Sequence, residues 1–259
     1  MDRMVASALF AFALFVGMLI LLNVGRRIGA KHLASDPKGA RTGTGTIEAA
    51  VFALLGLLIA FTFSGAVSRF DNRRHLIVEE ANAIGTAYLR LDLLPAAAQP
   101  ALRQEFRLYV EHRLEVFRRL PDLTASNAEV AAAAILQKKI WRQAVAASQA
   151  EGAAPSTPML LLPALNQMID ITTTRAMALQ LHPPLAIFGM LFLVALASAL
   201  LAGYSMAGGK DRKWLHVVGF SLVIGITVYV ILDIEFPRFG LIRVDAFDQA
   251  LVDLLNSMK

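Results

Sequence analysis

Four long apolar stretches, with a run of amphipathic helix between the second and the third, set the pattern of this chain. Met4–Val24 carries no charge, and Asn23 is its one strongly polar residue. Ile47–Val67 is uncharged after Glu48, and Leu185–Tyr204 is uncharged throughout. Trp214–Leu232 opens on a tryptophan suited to a membrane interface. Each stretch is long enough to cross a bilayer as a helix. Nothing stops the second one at its apolar end. No proline stands between Thr46 and Pro95, and at Arg69 the code changes from all-apolar to amphipathic. One helix is therefore predicted from about Thr46 to Leu94, roughly 70 Å long at the helical rise.

Beyond the second span, Ile77, Ala81, Ile84, Tyr88 and Leu91 step by fours and threes, a seam for another helix. Leu102, Phe106, Val110, Leu114 and Phe117 mark a second amphipathic helix ending near Pro121. Ser126-Asn127-Ala128-Glu129 has capping-box spacing. It predicts a third helix from there to about Gln149, with Ile135, Trp141 and Val145 on its apolar side. Pro158 or Pro163 opens a fourth, through Met168, Thr172 and Leu179, which Pro183-Pro184 interrupts. After the last span, Pro237 and Gly240 predict a fixed turn, and Asp245–Met258 a short helix.

Period-two alternation is nearly absent. The fold class is thus an all-α membrane protein, with four transmembrane helices and a helical-bundle domain inserted between the second and third. The expected domains are 1–67, transmembrane helices one and two with a basic linker over Gly25–Gly45; 68–183, a soluble helical bundle continuing from the second helix; and 184–259, transmembrane helices three and four with an amphipathic C-terminal tail. A signal peptide is the competing reading of Met4–Val24. Its apolar core exceeds the usual secretory length, and no small-x-small cleavage site precedes Arg26, which favours an uncleaved helix.

Composition narrows the class. Of 259 residues, 56% are hydrophobic and only 17% charged, too apolar for an ordinary soluble domain. Cysteine is absent, which excludes disulfides, thiol catalysis and cysteine-ligated metals. The net charge of +5 is modest and gathers beside the spans, so anionic lipid headgroups account for it better than nucleic acid. The short loops carry Arg26, Arg27, Lys31, Lys38, Arg41, Lys210, Arg212 and Lys213, and the tails Arg3, Arg238, Arg243 and Lys259. That balance places the short loops in the cytoplasm of a bacterial inner-membrane, multi-pass protein. Counting Arg69, Arg73 and Arg74 nearly erases the margin.

The HExxH, GxSxG and GxxxxGK signatures are missing and the five histidines are scattered. The expectation is no enzyme, no cofactor and no metal. No charge lies well inside a span, where transporters and pumps usually need one; a passive pore does not.

Candidate chemistry concentrates on the second span and the turns after it. Gly56, Ala60, Ser64 and Ser68 recur every four residues, spacing that lets helix backbones approach closely in lipid. Beside them Phe52, Ile59, Phe63 and Phe70 form a bulky row. That row reads either as a hydrophobic constriction that blocks ions by dewetting or as lipid-facing and packing surface. The hydroxyls of Thr62, Ser64 and Ser68 either meet a permeating ion or bond back to the preceding turn. Arg69, Arg73 and Arg74 either attract anions at a pore mouth or snorkel to headgroups.

Asp71–His75–Glu79 reads as a pH-responsive or metal-binding edge, or as a solvated salt-bridge row, the preferred reading. The acids Glu79, Glu80, Asp92, Asp233 and Glu235 either share a cation, with Glu79, Glu80, Asp233 and Glu235 the candidate set, or cap helices and pair with arginines.

The run LLGLLIAFTFSGAVSRFDNRRHLIVEEANAIGTAYLRLDLLP, with the later LDIEFPRFGLIRV, resembles a family of bacterial membrane proteins that have a bestrophin-like domain. The resemblance covers most of the chain. No activity of that family transfers with the motifs. A more distant likeness is to bestrophins, pentameric chloride channels with four spans per subunit, a large helical cytosolic part and a hydrophobic neck on the second span. It implies a homo-oligomeric, by resemblance pentameric, ion channel that favours anions. The second helix would line the pore, and the neck would fall on Phe52, Ile59 and Phe63, with Phe70 at its end. The partners implied are membrane lipid, an inorganic ion and further copies of the chain.

Two features depart from bestrophins. Their calcium-sensing acidic run after the fourth span is here reduced to Asp233 and Glu235. Their helical domain is cytosolic, against the charge balance above. The alternative function is a non-conducting, membrane-anchored sensor or scaffold whose helical domain binds a partner or ligand.

Overall fold

A computed structural model describes residues 3–36, 44–208 and 214–258. Eight α-helices account for most of them: α1 (Arg3–Ser35), α2 (Thr44–Leu89), α3 (Gln99–Arg118), α4 (Leu123–Ser148), α5 (Thr157–Gln180), α6 (Leu185–Ser205), α7 (Trp214–Glu235) and α8 (Gln249–Ser257). Among the described residues there is no strand, and four helical segments are long and apolar enough to cross a membrane. Pro37, Lys38, Gly39 and Arg41 of the linker, Lys210, Arg212 and Lys213 of the second short loop, and Lys259 lie outside the described residues.

Helix α2 runs unbroken from Thr44 to Leu89 and tightens into a 3₁₀ turn over Arg90–Leu93, ahead of Pro95. Helix α1 does not stop at Val24. It continues to Ser35 through what reads as a linker. Gly25 and Gly29 lie inside it at close approach to α6: a Cβ on Gly25 would strike the Leu200 carbonyl oxygen, and one on Gly29 would strike that of Tyr204. The glycines therefore serve packing rather than chain reversal.

The chain divides into two compact units. The first comprises Met1–Arg69 and His182–Ile242. Its core joins Leu14, Met18 and Leu22 of α1, Leu55 of α2, Leu191, Ala195 and Ala199 of α6, and Val228 and Leu232 of α7. Ala195, Ala199 and Gly203 of α6 recur every four residues; the two alanines are buried in this core, and a Cβ on Gly203 would meet the Leu22 carbonyl of α1.

The second unit comprises Phe70–Leu181 and Arg243–Lys259. The seam Ile77, Ala81, Ile84, Tyr88 and Leu91 is buried throughout. Ala81, Ile84, Tyr88 and Leu91 join Phe106, Tyr109 and Val110 of α3, Ile140 and Ala144 of α4, Leu161, Leu165 and Met168 of α5, and Leu251 of α8. Each large side chain buried there contributes about 1.5–3 kcal/mol.

The third helix of this unit departs from the sequence reading. It starts at Leu123, where Asp122 caps it by accepting from the backbone N–H groups of Thr124 and Ala125, both at 3.0 Å. Ser126 is already inside the helix and buried, donating to the Val116 carbonyl at 2.7 Å. A carboxylate that meets two orphan N–H groups prevails over the later box. Ile135, expected inward, is 66% exposed; the buried face of α4 is Ala133, Ile140 and Ala144.

Candidate functional site

The first half of α2 is the barest of the four spans. Of its most apolar stretch, 11% is buried, against 22% to 39% in the others. Leu55 and Ala66 point into the first unit's core side, and the opposite face is left to the surroundings. That face carries Gly56, Ala60, Ser64 and Ser68, with Phe61 and Phe63 beside them, all exposed.

The bulky row is treated unevenly. Phe63 is 42% exposed. Phe52 is half-buried and meets Phe220 of α7 edge-on, with ring centres 5.8 Å apart. Ile59 packs against the core of the first unit. Phe70 belongs to the second unit, where the Arg74 guanidinium lies 5.4 Å from its ring centre. Of the three hydroxyls, Thr62 is part-buried and bonds back to the Leu58 and Ile59 carbonyls at 2.7 and 3.0 Å. Ser64 and Ser68 stand on the exposed face.

The charged residues that follow α2's apolar half are engaged within their own units. In the first unit, Arg69 reaches Glu235 with two nitrogens: Nε at 3.0 Å from both carboxylate oxygens and Nη2 at 2.8 Å from Oε2. Gly65, one turn back, leaves room for that guanidinium, which a Cβ would meet at 3.2 Å. Glu235 is 1% exposed and has a second partner, Nδ1 of His182 at 2.9 Å. The His182 ring lies tilted against Phe236, with centres 4.7 Å apart.

Asp233, also buried, accepts from the backbone N–H groups of Leu241 and Ile242 at 3.0 and 2.8 Å. Gly240 lies so close to this carboxylate that a Cβ would collide with it. The Pro237–Gly240 turn is thereby tied to the end of α7.

In the second unit, Arg73 is buried and donates to the Ala178 and Leu181 carbonyls at 3.1 and 3.0 Å. Its charge thus sits on the last turn of α5, where the helix dipole favours a cation. Arg74 pairs with Asp71 at 3.4 Å in an exposed i, i+3 bridge and lies over the Phe247 ring at 4.6 Å. His75 and Glu79 form an exposed i, i+4 pair at 3.1 Å.

Glu80 is fully buried. It accepts from Arg113 Nε at 2.5 Å and is bonded to Arg175, which also faces Asp248 at 3.7 Å and the Phe117 ring at 4.3 Å. Burial alone would raise the Glu80 carboxyl, but the two guanidiniums more than reverse that and hold it below its ordinary value. Burial would lower Arg113, but Glu80 holds it above its usual value. Tyr109, beside this cluster, is pushed up by burial and by the Glu80 charge.

The candidate cation set therefore divides. Glu80 meets arginines, Glu235 an arginine and a histidine, Asp233 backbone amides, and Glu79 a histidine. Among the described residues no three or more metal-ligating side chains come together. Sequence reasoning singled out Glu80 without its partners, and missed Arg113, Arg175 and His182. The signal was present in part: Glu80 lies on the Ile77–Leu91 seam, and an acid on a buried seam needs a cation.

A family model described as the Bestrophin-like domain matches residues 11–246. A crystal structure of a variant of a bacterial bestrophin homologue from Klebsiella pneumoniae is similar over 92% of this chain and 98% of its own, with 16% identity and a TM-score of 0.65. Two further crystal structures, each of a membrane protein, match with TM-scores of 0.64 and 0.60 at 16% identity. They cover 94% and 93% of this chain and 98% of their own. At such identity the likeness is one of fold. No curated protein matches the sequence.

Proposed function

We propose, for a multi-pass membrane protein that belongs to the Bestrophin-like family, a homo-oligomeric ion channel in which copies of α2 stand around a shared axis. One observation carries this reading. The first half of α2 leaves the Gly56–Ala60–Phe63–Ser64 face uncovered by its own chain. A face of small residues beside a bulky one suits contact between copies, and small residues let spanning helices approach closely. The membrane-protein homologue from Klebsiella pneumoniae, similar in fold, supports the channel reading as a bestrophin homologue.

In this reading Phe63 forms the main constriction, where an apolar ring excludes ions by dewetting. Phe52 and Ile59 lean toward the bundle and back it up. Ser64 and Ser68 offer hydroxyls along the pathway. Passage of anions is favoured by Arg74, the half-exposed cation of the three that follow the span. Five copies is the number the bestrophin likeness implies.

Planar-bilayer recording of the purified protein tests the proposal. Current is expected, larger in Phe63→Ala than in the unaltered protein, with Phe52→Ala closer to the unaltered protein because its ring rests on Phe220. Current that Phe63→Ala leaves unchanged overturns the constriction. No current under any ion or pH returns the chain to a membrane-anchored sensor or scaffold. Asymmetric salt in the same recordings reads the selectivity.

A further inference from the structure

We propose that the exposed stripe of α2 within the second unit, Asp71, His75, Val78, Asn82 and Thr86, walls the ion pathway beyond Phe63, and that Asn82 and Thr86 are where this wall meets a hydrated ion. The wall rests on the channel reading, since it requires copies of α2 gathered around a shared axis.

The register of α2 carries it. The helix is unbroken from Thr44 to Leu89, and each residue advances by about 100° around its axis. Counted from Ala60 on the bare face, Asp71, Arg74, Val78 and Asn82 fall within about 40°, and His75 and Thr86 within about 80°. Arg69 and Arg73 fall on the far side, about 180° and 140° away. Burial follows the same count. Arg73, Ile77, Glu80, Ile84 and Ala87 are buried, whereas the five residues of the stripe are exposed. The face that meets a shared axis in the span therefore continues into the stripe.

Beside the stripe a cavity of about 270 Å³ opens between α2 and α5, lined by Glu79, Asn82, Ala83, Thr86, Gln167 and Ile171. It has room for about nine waters at ~30 Å³ each. Asn82, Thr86 and Gln167 are exposed, and none has a side-chain hydrogen bond among the described residues. An amide presents N–H donors to an anion and a carbonyl oxygen to a cation, and a hydroxyl serves either. Glu79, at the margin, is paired with His75 at 3.1 Å. This stretch keeps an ion hydrated and imposes no sign of its own. A charge introduced at Asn82 would be repeated in every copy and act as a ring.

Reversal potentials in asymmetric salt test the wall, on the full-length protein with Phe63→Ala as the conducting background. Asn82→Asp is expected to shift the anion-to-cation permeability ratio about three-fold toward cations at physiological salt, and further in dilute salt. Asn82→Lys shifts it by about the same factor toward anions. Asn127, exposed on α4, is the control, and Asn127→Asp leaves the ratio unchanged.

Should an Asn82 variant not fold, Thr86→Asp and Thr86→Lys read the same wall. Current whose reversal ignores the charge at these positions overturns the wall and leaves the constriction standing. A shift from Asn127→Asp as large as that from Asn82→Asp ascribes the effect to surface charge in general and overturns the wall as well. No current from any variant removes the channel reading and the wall with it.

Discussion

Neutralising Glu80 strands two buried guanidiniums, and the size of the effect follows from the geometry. The carboxylate is 0% exposed, with Arg113 at 8% and Arg175 at 5%. Glu80→Gln keeps the shape and removes the charge. Breaking a buried pair by removing one partner costs about 3–5 kcal/mol. Asp248, 3.7 Å from Arg175, compensates part of the stranded charge, which places the expectation near the lower end, about 3 kcal/mol. That is a large share of a domain stability of about 5–15 kcal/mol.

The assay is urea unfolding of the full-length protein in detergent, followed by Trp141 fluorescence in a Trp214→Phe background. Trp141 packs on the core that surrounds Glu80's unit. With a slope of about 1–3 kcal/mol per molar urea, the midpoint falls by about 1–3 M. A loss under about 1 kcal/mol, the range of an exposed pair, refutes the reasoning.

The origin of the penalty is separable. Replacing all three with apolar residues (Glu80→Leu, Arg113→Met, Arg175→Met) removes the stranded charges and is expected to recover most of the loss. A triple variant as unstable as Glu80→Gln would show that packing, not charge, dominates. The pH dependence has a fixed sign. The folded-state pKa of Glu80 lies below its ordinary value of 4.5. Its contribution is therefore complete above that value and is lost as pH falls through the lower folded-state one. The variant and the unaltered protein should converge in acid and stay parallel at neutral pH.

Three further outcomes are expected. Gly203→Val pushes a side chain into the Leu22 carbonyl, and thermal unfolding in detergent should register a loss of about 1–3 kcal/mol; an unchanged midpoint would deny the close α1–α6 contact. Arg69→Gln removes the charged, two-nitrogen partner of the buried Glu235 and should cost about 2 kcal/mol, much of it recovered by adding Glu235→Gln; simple additivity in that cycle would argue against the bidentate pair. Arg73→Gln should fray the end of α5, seen as faster amide exchange near Leu181, whereas Arg74→Gln should cost under about 1 kcal/mol and instead shift the reversal potential in asymmetric salt; a reversal shift from Arg73→Gln with unchanged exchange would invert these roles.

How legible each part was depended on whether its residues had a period. The seam from Ile77 to Leu91 could be read directly, because a helix with one wet face alternates polar and apolar positions at helical spacing. Of the two prolines read as openings of α5, Pro158 stands in its first turn and Pro163 lies inside it, while Pro183-Pro184 follow its end; proline has no backbone donor, which the first turn does not need. The apolar half of α2 had no such period. A helix that is hydrophobic all round does not declare which face its neighbours cover, so the outward turn of Gly56 and Ala60 and the inward lean of Phe52 needed the tertiary structure.

Gly25 and Gly29 look like linker residues when met among arginines, and only the opposing α6 backbone gives them a packing role. Glu79 and Glu80 are adjacent and alike in sequence. One step around the helix makes the first an exposed partner of His75 and the second a buried partner of two arginines.

These pairings bear on where selectivity could arise. Arg69 is matched by Glu235, and Arg73 sits buried on the final carbonyls of α5. Buried charges so matched fix structure, because separating them leaves an uncompensated ion. They add little field along a pathway. The remaining cation after the span, Arg74, is opposed by Asp71 across an exposed 3.4 Å gap that water and salt screen. A pore with so little fixed charge per copy would owe its anion preference to Arg74 and its conductance to the width and wetting of its apolar section. That shifts the weight of the channel hypothesis onto the bare face of α2 and onto Phe63, the one member of the bulky row turned away from its own chain's packing.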